Sequence, residues 1–236
     1  MKKLYAILVG LPLSCLTLNA MAATTWVDNR FAHTWGPEKN QYKIGGGHIF
    51  DNGAGILVSS MYDIGTTNQN LGTQLKSTFQ EYEGWYPFKL DEQWTLTPGG
   101  LTDIDSGGST VAPYITLDYK ITSALSFSTR YRYNHITRKS IDLNGEMNYN
   151  DAHQIDLYLN YQATDKLWLQ LNPEFFINTN EFHAANGKKT HWEPSIVARY
   201  RLNQHWMPYT ELAWLDKDQN RDDQVRLRVG VRYYFQ

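Results

Sequence analysis

The chain has 236 residues, of which 42% are hydrophobic, 14% aromatic and 19% charged, with a formal net charge of −2. Balanced charge with so many aromatics excludes a disordered polyelectrolyte, and no basic excess points to a nucleic-acid partner. A single cysteine, Cys15, can form neither an internal disulfide nor a cysteine-based zinc site.

The first element is an address. Lys2 and Lys3 form a basic start, Leu4 to Leu18 is apolar apart from a break at Pro12, and Ala20-Met21-Ala22 supplies small residues for a signal peptidase. Residues 1–22 therefore read as a secretory signal peptide, and 23–236 as one mature domain. The apolar run falls short of the roughly 20 residues a spanning helix needs. Acylation at Cys15 fits poorly, because the run stays apolar beyond it. Without Cys15 the mature chain must be held by backbone pairing and burial alone. No later stretch has the length and apolarity of a spanning helix. A spanning strand needs only about 10 residues, with alternate ones apolar.

From Thr24 onward the pattern has period two. Twelve segments show it: 24–34, 40–50, 53–63, 74–86, 93–102, 111–120, 125–136, 152–162, 167–177, 190–202, 206–215 and 224–235. The second and third, with Gly45-Gly46-Gly47 and Ser59-Ser60, have the poorest strand composition. In the seventh, Leu125, Phe127, Thr129, Tyr131 and Tyr133 take one face, and Ser126, Ser128, Arg130, Arg132 and Asn134 the other. In the twelfth, Leu227, Val229, Val231, Tyr233 and Phe235 oppose Arg226, Arg228, Gly230, Arg232 and Tyr234. Helical spacing would scatter these sets around a cylinder.

Short connections (51–52, 87–92, 121–124, 163–166, 203–205) alternate with longer polar ones (35–39, 64–73, 103–110, 137–151, 178–189, 216–223). This layout, with both termini at the short-turn end, predicts an all-β fold: a 12-stranded antiparallel transmembrane β-barrel of the Gram-negative outer membrane. Tyr82, Tyr86, Trp94, Tyr119, Tyr131, Tyr133, Tyr161, Trp192, Tyr200, Trp206 and Trp214 all fall on the apolar face. Most lie near strand ends, where interfacial girdles form. In a soluble barrel or sandwich, the rival architecture, the apolar face would turn inward.

With the apolar face against lipid, the inward set contains Arg30, Arg130, Arg132, Arg199, Arg201, Arg226, Arg228 and Arg232. It also contains Asp28, Glu81, Glu83, Asp118, Asp156, Glu174, Glu193 and Glu211. Strands one and seven lie half a ring apart, so Arg30 and its neighbours on the closing strand would face Arg130 and Arg132. Permanently charged guanidinium groups suit carboxylate or sulfonate oxygens. Salt-bridge ladders that only stiffen the wall are the competing use of the same residues.

An enzyme is the rival from another class. His33, His48, His135, His153, His183, His191 and His205 offer no pair with zinc spacing on one face, and no Gly-x-Ser-x-Gly is present. Asp216 to Asp223 lacks the glycine and terminal Glu of a calcium loop. The outer loops are short for an adhesin. A non-conducting structural barrel is a third possibility. No catalytic residue, metal or cofactor is assigned.

The segments Glu83-Gly84-Trp85-Tyr86-Pro87, Leu90-Asp91-Glu92-Gln93-Trp94-Thr95, Pro98-Gly99-Gly100-Leu101 and Arg130-Tyr131-Arg132-Tyr133 resemble the oligogalacturonate-specific porin family. Asp142-Leu143-Asn144-Gly145-Glu146 and Pro208-Tyr209-Thr210-Glu211 extend the likeness over the mature chain, which within the family most resembles the OmpL branch. The resemblance implies a monomeric outer-membrane channel, surrounded by outer-membrane lipid, that passes acidic sugars past tracks of basic residues. Onto this chain the Arg-x-Arg pair maps as Arg130 and Arg132, and a first-strand basic position as Arg30. Thr97 and Gly45 stand where basic residues can occur, and Gln236 follows Phe235 where the usual terminal signal ends. The expected function is passive diffusion of small acidic mono- or oligosaccharides bearing uronate, sialate or sulfonate groups.

Overall fold

The computed structural model describes residues 23–66, 75–217 and 222–235. The signal-peptide reading lies on residues 1–22, outside them. Twelve long antiparallel strands form a closed barrel. They are β1 (Thr24–Trp35), β2 (Lys39–Ile49), β3 (Gly55–Thr66), β4 (Lys76–Trp85), β5 (Trp94–Asp105) and β6 (Gly108–Lys120). The ring continues with β7 (Leu125–Ile136), β8 (Ala152–Gln162), β9 (Leu167–Asn178), β10 (Thr190–Tyr200), β11 (Trp206–Leu215) and β12 (Gln224–Phe235). Each pairs with its sequence neighbours, and β1 closes on β12 from Thr25↔Phe235 to Trp35↔Val225. Among the described residues the ring of twelve strands therefore has no open edge. Pro194 and Pro208 lie just beyond the ends of the β10–β11 ladder, which runs only from Ser195 to Arg199. Proline has no N–H to donate to such a ladder.

The distribution of polarity is inverted relative to a soluble protein. Ile56, Val58, Ile196 and Val229 are each about half exposed, whereas Gln154 and Asp156 are 1% and 0% exposed. Apolar side chains face out and polar side chains face a lumen, as a barrel surrounded by hydrocarbon requires. The soluble-barrel alternative fails on this observation. Tyr82, Tyr131, Tyr161, Trp192, Tyr200, Trp206 and Trp214 are all exposed on the outer surface, as their alternation predicts.

The connections depart from strict alternation. The outer turn between β5 and β6 is only Ser106-Gly107, because the Asp105 carboxylate accepts the N–H groups of Gly107 and Gly108 and closes it tightly. The β1–β2 connection is also tight, with Gly36 at φ 98°. On the other side, residues 86–93 hold a two-residue strand, Phe88–Lys89, paired to β5. The expected long outer connections 35–39 and 103–110 are therefore short. Residues 137–151 form a small hairpin, Lys139–Ile141 with Met147–Tyr149. It docks on residues 179–189 through Leu143 N–H to the His183 carbonyl and Asn180 Nδ2 to the Tyr149 carbonyl. Asp142 caps its turn, accepting the N–H groups of Glu146 and Asn144, which hold its carboxyl below the ordinary range.

Candidate functional site: a charged lumen wall

Alternation on each strand delivers charge to the lumen in sectors. β12, β1 and β2 carry Arg226, Arg228, Arg232, Arg30 and Lys43 on the face that pairs inward, and β7 carries Arg130 and Arg132. Carboxylates fill the sectors between. Glu81, Glu83, Asp103 and Asp118 lie on β4 to β6, and Asp156, Glu174 and Glu193 on β8 to β10. β1 and β7 are six strands apart in a ring of twelve.

Most of these arginines are balanced. Arg130 donates from Nε and Nη2 to Asp156 Oδ2 at 2.7 and 2.6 Å. Its guanidinium lies 5.3 Å from the Tyr114 ring and 5.6 Å from that of Tyr158. Arg228 and Arg226 share Glu211 at 2.7 and 3.4 Å, and Arg232 meets Asp28 at 3.1 Å. Arg132 donates to Gln154, a neutral acceptor. These contacts bear out the ladder reading for Arg130, Arg226, Arg228 and Arg232 as far as local pairing goes.

Two arginines differ. Among the described residues Arg30 has no carboxylate within ion-pair distance, and Arg199 only the Gln170 amide oxygen at 3.2 Å. Both line one lumen cavity of about 190 Å³, together with Lys43, Arg232, Asp28 and Glu211. Lys43 is held by Glu81 at 2.8 Å and Arg232 by Asp28. The cavity thus presents two guanidinium groups whose donors are uncommitted to any carboxylate. Arg201 lies just past the end of its strand, where it lines a recess with Asn160, Arg199 and Met207. β10 ends at Tyr200, and Arg201 sits exposed at the short-turn mouth with its guanidinium 5.0 Å from the Trp168 ring.

Sequence reasoning missed Lys43, Asp103 and the lumen aromatics. Lys43 alternates with Tyr42 and Ile44, but the following glycines obscured that strand's period. It lies two residues from Gly45 on the same face, and both line the lumen cavity. The aromatics stand on glycines. A Cβ on Gly99 would lie 2.4 Å from the Tyr114 ring, and one on Gly230 2.4 Å from that of Tyr209. The rings lie flat on the neighbouring strand and carry their hydroxyls to acids, Tyr114 to Glu83 at 2.6 Å and Tyr209 to Asp28 at 2.7 Å.

With this geometry in view, comparison with known proteins is specific. Residues 17–235 match the family model described as oligogalacturonate-specific porin protein. The N-acetylneuraminic acid outer membrane channel protein NanC of Escherichia coli K12 is 32% identical over 153 residues, 63% of this chain and 64% of that protein. The match therefore spans about 64% of that relative's length. The oligogalacturonate-specific porin KdgM of Dickeya dadantii is 24% identical over 209 residues, 80% of this chain and 81% of its own. Among solved structures, a NanC porin superposes with a TM-score of 0.76 at 26% identity, over 88% of this chain and 98% of its own. A KdgM porin structure, at 18% identity and a TM-score of 0.66, shares the fold over 89% of this chain and 99% of its own.

Proposed function

The chain belongs to the oligogalacturonate-specific porin family, and on that premise we propose that its barrel is a passive outer-membrane channel for small acidic saccharides. The solutes are mono- or oligosaccharides with uronate, sialate or sulfonate groups. The concentration gradient drives them, and the account needs no catalytic residue or cofactor. The signal peptide ends at Ala22 and the working unit is one barrel. Relatives named as an N-acetylneuraminic acid channel and an oligogalacturonate porin support an acidic sugar as the cargo.

The observation that carries this reading is the cavity in which, among the described residues, Arg30 and Arg199 have no carboxylate partner. An acid entering it meets charged donors without breaking an existing ion pair. Arg30, Arg226, Arg228 and Arg232 on one side, and Arg130 and Arg132 on the other, continue the path as two opposed basic tracks. Arg201 receives solute at the short-turn mouth. Inward neighbours on a strand are about 6.6–7 Å apart. A carboxylate can therefore pass between donors without a deep minimum, which conduction requires. The carboxylate sectors between the tracks repel an acid and keep it on them.

The test is block of single-channel current by oligogalacturonate. Wild-type protein should show discrete interruptions. Arg30→Ala with Arg199→Ala should shorten them at least tenfold, as loss of charged hydrogen bonds worth roughly 1.5–3 kcal/mol predicts. Arg130→Ala with Arg132→Ala should weaken block less, since Arg130 is already committed to Asp156. Unchanged block in the Arg30/Arg199 variant overturns the assignment.

A further inference from the structure

Outside the lumen, an open recess in the barrel wall lies at the outer ends of β9 and β10, beneath residues 186–190. Its volume is about 660 Å³. Its floor is two cross-strand pairs on the lipid-facing side, Phe175↔Trp192 and Ile177↔Thr190, with the pair between them, Phe176↔His191, whose rings stack on the inward face, also reaching it. Phe175 and Trp192 are stacked, with ring centroids 6.1 Å apart and an interplanar angle of 20°. Trp192 is 58% exposed although it stands on a packed strand. Below this floor the same face continues as Pro173↔Pro194 and Leu171↔Ile196, an apolar track down the wall.

The rim is built rather than loose. Asn186 donates from Nδ2 to the Thr190 carbonyl and accepts the Lys188 N–H, at 3.0 and 2.8 Å. Gly187, at φ 80°, donates its N–H to the Ala184 carbonyl and closes the turn. This frame projects Lys188 over the recess. Lys189 is held by Glu181 at 2.7 Å, whereas Lys188 is exposed and has no carboxylate within ion-pair distance among the described residues. An apolar slot in a bilayer-facing wall, with an uncommitted cation a few residues above its aromatic floor, matches a lipid whose chain lies on the wall and whose anion sits at headgroup level.

We propose that this recess seats a phosphorylated outer-leaflet glycolipid, with an acyl chain along Phe175, Trp192 and the proline pair, and a phosphate on Lys188. The seat lies outside the lumen and is independent of the solute path. The lipid clamps the 179–189 segment, and through it the hairpin at 137–151, against the barrel rim.

The test is native mass spectrometry of the full mature protein in detergent, with diphosphorylated lipid A, its dephosphorylated form and phosphatidylglycerol added in separate arms. The expected result is a one-to-one adduct with lipid A, about fivefold weaker for the dephosphorylated lipid and for Lys188→Gln, as one interfacial cation predicts. Trp192→Ala should weaken both glycolipids together. No lipid A adduct overturns the proposal. So does equal retention of the phosphorylated and dephosphorylated forms, or an adduct unaffected by Lys188→Gln, because ordinary boundary lipid behaves that way. Equal retention of phosphatidylglycerol refutes the glycolipid assignment. Phe175→Leu, which keeps an apolar floor, provides a second variant if Trp192→Ala does not fold. It should lower retention of both glycolipids, and unchanged retention counts against the slot.

Discussion

Asp156→Asn separates a charge-guided lumen from one that is merely polar. Asp156 is fully buried and accepts from Arg130 Nε and Nη2, from Gln154 Nε2 at 2.7 Å and from Tyr158 Oη at 3.3 Å. Asparagine keeps the volume but removes the charge, leaving Arg130 unbalanced toward the pore. Loss of a charged hydrogen-bonded partner should cost about 1–3 kcal/mol of stability, limited because the Arg130 side chain is 21% exposed to the lumen and can rehydrate. A solute anion about 5 Å away then gains roughly 0.8 kcal/mol at the dielectric constant of water, and about 3 kcal/mol at an effective value near 20. Even the lower figure corresponds to about a fourfold rise in local anion occupancy at low salt, fading as the screening length falls to about 10 Å at 0.1 M. Reversal potentials under a potassium chloride gradient read this directly. The variant should shift toward anions, and the shift should shrink with added salt. An unchanged potential, or a shift toward cations, in a variant that still folds would refute the charge reasoning.

Other consequences of the structure can be checked separately. Gly230→Ala places a Cβ 2.4 Å from the Tyr209 ring, so it should destabilise the barrel by about 1–3 kcal/mol in urea unfolding. Leu159→Arg puts a charge on the lipid face of β8 and should cost about 2–4 kcal/mol, while Asn160→Arg, one residue on and facing the lumen, should be far milder. The Asp142 carboxyl titrates below its unfolded value, because backbone N–H groups favour the anion. Its contribution to the outer hairpin is thus fully present above about pH 4 and lost as pH falls through the lowered folded value. Protection of the Asn144 and Glu146 amides, as exchange relative to the intrinsic rate at each pH, should fall on acidification, and Asp142→Asn should show the low protection throughout. Protection that does not change with pH would mean that the turn does not depend on that cap.

Much of this architecture is visible in the sequence because a strand's side-chain period is two. Once Tyr131 and Leu227 are assigned to lipid, Arg130, Arg132, Arg226 and Arg228 have nowhere to point but the lumen. The twelve segments and their faces follow from that alternation alone. Loop lengths do not, because a turn's compactness depends on local hydrogen bonds. Asp105 draws the β5–β6 connection into two residues, although the polar stretch around it looks long. The lumen's electrostatics were half legible. Which residues face inward can be counted, but which arginine is satisfied depends on cross-strand register. Asp156 falls opposite Arg130, whereas Arg30 falls between Gly230 and Lys43 and, among the described residues, has no acid opposite it. Lys43 was hidden by glycines whose role is to accommodate large rings and neighbouring strands at close range.

The most direct measurement of the central claim is single-channel recording of wild-type protein with digalacturonate and, at the same concentration, a neutral disaccharide of the same size. A charge-guided path predicts discrete blocking events from the acid alone, with dwell times that shorten as salt rises. Equal block by both sugars, or a folded, inserted barrel that carries no current, would contradict it.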